Sequence, residues 1–119
     1  MQSRPRFGFE GFQVWQDARD LAVLCFSASR DLERAGFSAE ARLLRRAGVR
    51  PASQLGEASL SVSLPQFVRR LGFARDSVSV ITQLVATQSP TESGDLVLAR
   101  EMAEALASDL AHAVNRRGW

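Results

Sequence analysis

The stretch FQVWQDARDLAVLCFSASRDLE, residues 12–33, carries the pattern that decides the fold. Its apolar side chains recur at intervals of three and four residues, which places them on one face of an α-helix. These side chains are Val14, Ala18, Leu21, Cys25, Ala28 and Leu32. Gly36 follows as a helix-stop signal, because glycine readily takes the left-handed conformation that ends many helices. The pattern predicts a first amphipathic helix over residues 12–33.

The same periodicity recurs three more times along the chain, and no segment alternates as a half-buried strand would. It predicts further helices over residues 38–60, 64–87 and 92–116. Four amphipathic helices joined by short turns pack most simply as an up-down-up-down bundle. We therefore expect an all-α fold in which residues 1–119 form one four-helix-bundle domain.

Local signals mark the ends and the interior of these helices. Ser63-Leu64-Pro65-Gln66 has the pattern of a capping box, in which the serine and glutamine side chains each accept a hydrogen bond from a helix-start amide. Ser89-Pro90-Thr91-Glu92 repeats that pattern before the fourth helix. Within the second helix, Pro51 removes one amide and crowds the carbonyl one turn earlier. We expect a kink or a short break there, strengthened by Gly48 and Gly56.

Four blocks of sequence have counterparts in one known family. FEGFQVWQDA, residues 9–18, matches an opening of Phe, an acidic pair, Leu and Val-Trp-Gln. LRRAGV, residues 44–49, and SQLGEA, residues 53–58, match Arg-Arg-Ala-Ala-Val and Ser-Asn-Ile-Ala-Glu-Gly. QFVRRLGFARDS, residues 66–77, matches a third-helix segment of Phe, aromatic, Ala-Arg and Ser. Together they resemble the four-helix-bundle family encoded within intervening sequences of bacterial 23S ribosomal RNA genes.

The resemblance implies a bundle that assembles with copies of itself into a closed five-membered ring. It also implies work with nucleic acid, because of where the family's genes lie. The family is similar to the accessory protein of diversity-generating retroelements, which works with a reverse transcriptase and nucleic acid. This chain departs from the family's pattern in the second helix: Ala52 stands at the family's proline, and Gln54, Gly56 and Ala58 replace Asn, Ala and Gly.

Charge is distributed unevenly along the chain. Residues 41–75 contain seven arginines and one acid, Glu57, for a local charge of +6, whereas the remainder carries −4. Such asymmetry is typical of a face that binds a polyanion, and equally of a face that meets an acidic protein. All fifteen basic residues are arginine. Either a function or a coding bias towards GC-rich codons accounts for that choice, and lysine chemistry is excluded in both cases.

The arginines of residues 41–75 are the candidates for binding nucleic acid. Those of the second helix recur at intervals of three and four, so we expect them to share one face. Those of the third helix return beside them if the two helices form an antiparallel hairpin. The forked donors of a guanidinium match the oxygens of a phosphate. A solvated basic face is the plain alternative. The candidates are Arg42, Arg45, Arg46, Arg50, Arg69, Arg70 and Arg75.

A second apolar stripe predicts self-association. On the third helix it lies about 120° from the core-facing stripe, and on the first helix it widens the apolar face to one side. A bundle helix needs one buried stripe, so a second stripe needs another neighbour, although single exposed apolar residues are also normal. We expect Arg46 and Arg50 to face away from it. The interface candidates are Trp15, Phe26, Phe73, Val80 and Leu84.

Catalytic chemistry has little support in the sequence. The chain contains one histidine, one cysteine, no tyrosine and no lysine. His112 falls outside the apolar stripe of the fourth helix and is expected to be solvated, whereas Cys25 falls inside a stripe and is expected to be a small buried side chain. Neither has a second ligand at metal spacing or a nucleophile–base partner. We expect no catalytic residue, no cofactor and no metal, and hence no enzyme.

The location and the partners follow from the same features. No apolar run approaches the ~20 residues that cross a membrane, and a single cysteine offers no intramolecular disulfide, so we expect a cytoplasmic protein with no membrane partner. The leading hypothesis is a non-enzymatic oligomeric scaffold or adaptor, a homopentamer that binds RNA through its arginine-rich face. The alternative is a protein-binding oligomeric hub whose arginines meet an acidic protein partner and no nucleic acid.

Overall fold

Helices account for nearly all of the described backbone. The computed structural model describes residues 8–86 and 94–116, with side chains over residues 13–86 and 94–115, and it contains no strand within them. The helices are α1 (Gly8–Arg34), α2 (Ser38–Gly48), α3 (Arg50–Ala58), α4 (Leu64–Ala86) and α5 (Gly94–Arg116). Only Val49 separates α2 from α3, so the two are halves of one helical segment. The predicted all-helical fold with four helical segments is confirmed.

The break in the second segment lies two residues before Pro51. Val49 keeps helical backbone angles, φ −88° and ψ −11°, although it belongs to neither helix. Pro51 stands in the first turn of α3, where the missing amide removes no helical hydrogen bond. Its ring is buried. The short break that Pro51 predicts is confirmed.

A glycine cap ends α1. Gly36 has a φ of +94°, and it is the one glycine of the described residues with a positive φ. The Phe37 amide donates to the Leu32 carbonyl at 2.8 Å, and the Gly36 amide donates to the Glu33 carbonyl at 3.1 Å. This pair of hydrogen bonds is the Schellman motif. The helix stop predicted at Gly36 is confirmed, and it leads directly into α2.

The start of α4 is capped by Ser63, in a form that differs slightly from the expected one. The Gln66 amide donates to Ser63 Oγ at 3.2 Å. The Gln66 side-chain oxygen accepts from the amide of Val62, at 2.8 Å, rather than from that of the serine. The second predicted box, residues 89–92, lies outside the described residues.

The helices form a ring of neighbours around a single core. Both α1 and α4 pack against α2, α3 and α5. Within residues 8–86 and 94–116, α1 does not contact α4, and α5 contacts neither α2 nor α3. These non-contacting helices therefore lie on the two diagonals of the bundle. The predicted core stripes are buried on all four segments, with only Val14 and Val114 partly exposed.

Gly48 lets α2 approach α1 closely. A Cβ atom at Gly48 would lie 2.7 Å from the Cβ of Cys25 and 3.3 Å from its sulfur. A Cβ atom is fixed to its backbone and cannot rotate away, so the two helices would have to separate to admit an alanine. Glycine at this position therefore sets the distance between α1 and α2.

Gly48→Ala is expected to lower the free energy of unfolding by about 1–3 kcal/mol, because overpacking forces a backbone shift. Gly72→Ala is the matched control, since a Cβ atom at Gly72 in α4 meets nothing within 4 Å. This control is expected to raise stability by up to about 1 kcal/mol through helix propensity. Urea unfolding followed by circular dichroism measures both changes. Equal stability of the two variants would contradict a tight contact at Gly48.

Burial raises the pKa of the Cys25 thiol from 9.0 to about 12. The chain has no lysine and no tyrosine, so Cys25 is the side chain that titrates between those two values. In this pH range the unfolded chain has lost the thiol proton and the folded chain retains it. Below pH 9 the thiol is protonated in both states and does not change the free energy of unfolding. Between pH 9 and 12 that free energy falls as the pH rises.

We expect this fall to reach up to about 1.4 kcal/mol per pH unit. Urea unfolding at a series of pH values from 8 to 11 measures it. The control is Cys25→Ala, which costs about 1 kcal/mol at neutral pH and is expected to show no such slope. A slope that persists in Cys25→Ala would assign it to another group and overturn the prediction.

Candidate binding surface

Arg45 contacts α1 and does not point into solvent. Its Nε donates to Ser29 Oγ at 2.9 Å, and its terminal nitrogen donates to Glu33 Oε1 at 2.6 Å. The guanidinium carbon lies 5.9 Å from the centroid of the Phe26 ring. Only 28% of the Arg45 side chain is exposed. The expectation that all four arginines of the second segment share one face is therefore wrong for Arg45.

Arg70 is also used within the bundle. Its terminal nitrogen donates to the carbonyl of Glu57 at 2.8 Å and to Ser61 Oγ at 3.4 Å. The Glu57 carbonyl belongs to the last turn of α3, where carbonyls lack helical partners and favour a positive charge. Arg70 thus ties α4 to the C-terminal end of α3.

The other candidate arginines are more open to solvent. Arg75 has its Nε 3.8 Å from Asp76 Oδ1 on the same helix and is partly exposed. Within the part of the chain that the structure describes, the remaining four make no hydrogen bond or ion pair with the protein. They are exposed. These four are Arg42, Arg46, Arg50 and Arg69.

A groove of about 260 Å³ lies between the second segment and α4. Its apolar surface comes from both sides, and the guanidinium-bearing side chains of Arg46 and Arg50 line it. The hydroxyl of Ser77 in the groove donates to Gln54 Oε1 at 2.6 Å, so it already has a partner. We call this site the arginine groove. It is lined by Leu43, Arg46, Ala47, Arg50, Ser77, Val80 and Leu84.

The arginine groove corrects one expectation from the sequence. Arg46 and Arg50 do not face away from the second apolar stripe, because they line the same groove as Val80 and Leu84. The physical reason is that one flank of the second segment, residues 43–50, lies beside α4. Arginine stems then run along apolar surface while the charged heads stay in water. Some of the candidate nucleic-acid-binding arginines and some of the interface candidates therefore lie on the same surface.

The interface candidates fall on two helices that are not adjacent in the bundle. On α4, Phe73 is 50% exposed and Val80 is 47% exposed, whereas Leu84 is partly buried against the core. On α1, Trp15 is partly buried with Arg19 stacked 5.1 Å from its ring centroid, and half-exposed Phe26 lies beneath Arg45. Within the described residues α1 and α4 share no contact. The candidates therefore form two separate patches.

Sequence reasoning missed exposed apolar residues on α5 and on the turn after α3. Val97 is 45% exposed and Leu98 is 50% exposed, next to the buried Leu96. Leu60 and Val62 are more exposed still. The sequence does contain a signal for Val97. This apolar residue directly follows the core residue Leu96 and therefore lies about 100° away from it around the helix.

The candidate metal-ligating side chains do not cluster in the described residues. No group of three or more His, Cys, Asp or Glu residues there is arranged to hold a metal ion. His112 is exposed and Cys25 is buried, as the sequence predicts. No helix within the described residues combines the length and the apolar character needed to cross a membrane. The expected cytoplasmic location stays a prediction.

Comparison with known proteins adds no identification. No protein-family model matches the chain, and neither a curated protein nor a solved structure matches it. The resemblance to the intervening-sequence family therefore stays a prediction that rests on four blocks of sequence.

Proposed function

We propose that this protein is a non-enzymatic, self-associating scaffold that binds RNA through exposed arginine side chains. The observation that carries this proposal is the +6 charge of residues 41–75, together with the exposure of Arg42 and Arg69 outside the arginine groove. Arginines that make no contact within the bundle keep their donors available for phosphate. Arg45 and Arg70 are left out of the proposed site because they bind their own chain.

The scaffold is proposed to be an up-down-up-down bundle. α1 and the second segment run in opposite directions, because Gly48 lies beside Cys25 whereas the later Gly56 lies beside the earlier Trp15. The same holds for α3 and α4, where Gln54 bonds Ser77 and the Glu57 carbonyl bonds Arg70. Both neighbouring pairs are thus consistent with antiparallel packing.

We also propose that the bundles assemble as a homopentamer. Trp15 and Phe26 lie on α1, and Phe73, Val80 and Leu84 lie on α4. These helices occupy opposite corners of the bundle. An exposed patch on one side of a copy can therefore meet a different patch on the next copy, and head-to-tail contacts of this kind close into rings. The family resemblance supplies the number five.

RNA binding on such a ring would be electrostatic. Phosphate contacts position a protein on nucleic acid but carry no sequence information. Several copies of a weak site act together when one ring presents them to the same strand. We therefore propose affinity for RNA without base preference, and strong dependence on salt.

A second candidate function, a protein-binding hub, is favoured by the arginine groove. Its lining combines apolar side chains with two arginines. A phosphate backbone makes no favourable contact with the apolar side chains, whereas an acidic amphipathic protein segment can contact both the apolar side chains and the arginines. In this alternative the arginines meet an acidic protein and no nucleic acid.

A salt titration of RNA binding separates the two candidates. We expect wild-type affinity for single-stranded RNA to fall as salt rises, because neutralised phosphates release counterions. Arg42→Glu with Arg69→Glu, both outside the groove, is expected to weaken binding to all sequences alike by at least about tenfold. Its slope of log affinity against log salt should be shallower by about 0.7 for each lost contact.

The matched control is Arg30→Glu with Arg100→Glu, which makes the same change in net charge at exposed positions outside residues 41–75. It is expected to weaken binding much less. If wild-type protein does not bind RNA at low salt, or if both double variants bind equally, the RNA proposal is wrong. The protein-hub candidate then remains.

A further inference from the structure

The outward face of α5 carries the opposite chemistry to the arginine groove. Val97 and Leu98 expose apolar side chains there, and Glu101 and Glu104 expose carboxylates. The spacing of these residues places them on the side of α5 opposite the buried stripe of Leu96, Ala99 and Ala103. We call this surface the acidic α5 face and define it by Val97, Leu98, Glu101 and Glu104. Exposed Arg100 lies at its edge, three residues after Val97 and four before Glu104.

The acidic α5 face and the arginine groove cannot meet within one copy. Within residues 8–86 and 94–116, α5 packs against α1 and α4 and contacts neither α2 nor α3. The N-terminal turn of α5 is held on α1 by the hydrogen bond from the Ser27 hydroxyl to Asp95. The two surfaces therefore stay on different sides of the bundle, where each is open to another molecule.

We infer that the acidic α5 face of one copy docks into the arginine groove of a second copy. This inference rests on the proposed self-association and names the surfaces that perform it. Arg46 and Arg50 are four residues apart, or about 6 Å along their segment, and Glu101 and Glu104 are three apart, or about 4.5 Å. Two charge pairs at similar separations would accompany contacts of Val97 and Leu98 with the apolar lining.

Charge also decides against the symmetric alternatives. Two grooves facing each other across a two-fold axis would bring Arg46 and Arg50 against their own copies. Two α5 faces would bring Glu101 and Glu104 together in the same way. Like charges placed against each other at an interface cost several kcal/mol. A head-to-tail contact places opposite charges together, and it is the type of contact that forms rings or filaments.

This docking would cover some of the predicted interface residues and leave others uncovered. Val80 and Leu84 belong to the groove and would be covered, together with Arg46 and Arg50. Trp15 and Phe26 on α1 are not needed for this contact. The arginines left for RNA are then those outside the groove, Arg42 and Arg69 among them.

Charge reversal and charge exchange test this docking. Arg46→Glu with Arg50→Glu is expected to dissociate the assembly, and so is Glu101→Arg with Glu104→Arg, each raising the dissociation constant by at least about tenfold. The quadruple variant that carries all four changes restores opposite charges and is expected to reassemble. Sedimentation velocity measures the mass of each species. The control that stays assembled is Arg30→Glu/Arg34→Glu, at exposed positions on α1 outside both surfaces.

Each result decides one question. A monomeric wild-type protein would overturn the proposed self-association itself. A wild-type oligomer that survives both double variants, or a quadruple variant that stays monomeric, would overturn the docking of these two surfaces while leaving self-association in place. If a reversed variant loses its helical circular dichroism, Arg46→Gln with Arg50→Gln replaces it. That neutral pair is expected to weaken assembly without unfolding, and an unchanged mass would count against the docking.

Discussion

The close approach of α2 to α1 at Gly48 places the flank that carries Gly48 and Arg45 against α1, and the division of the basic surface follows from this packing. Arg45 lies three residues before Gly48 and so shares its flank, from which it reaches Ser29 and Glu33. Arg46 and Arg50 fall on another flank and line the groove with α4. Packing of this flank against α1 thus engages Arg45, whereas Arg46 and Arg50 remain on the groove side.

The arginines of residues 41–75 have different roles because their surroundings in the bundle differ. Seven arginines in residues 41–75 look equivalent in a count of charges. In the bundle, Arg45 and Arg70 hold neighbouring elements, and Arg46 and Arg50 stand beside apolar side chains. Self-association and RNA binding then draw on different members of the set, so a ring can form without using the arginines that the proposal assigns to RNA.

Much of the fold could be predicted from the sequence, because burial imposes the 3.6-residue period on each helix separately. The core stripes, the break before Pro51 and the stop at Gly36 are local features of this kind. The roll of α2 could not be predicted, since a helical pattern gives the direction of the core but not which neighbour lies on each flank. For the same reason the pattern could not show that Arg46 and Val80 line one groove. The start of α1 also differs from the prediction, because the helix begins at Gly8 rather than at residue 12.

The most direct test of this account is a double-mutant cycle that asks which arginine reaches Ser29. Free energies of unfolding are measured for Arg45→Ala, Ser29→Ala and the pair, and then for Arg46→Ala, Ser29→Ala and their pair. We predict a coupling of about 1 kcal/mol for Arg45 with Ser29 and none for Arg46 with Ser29. Coupling of Ser29 to Arg46 instead of Arg45 would contradict the roll of α2, and with it the assignment of Arg46 and Arg50 to the groove.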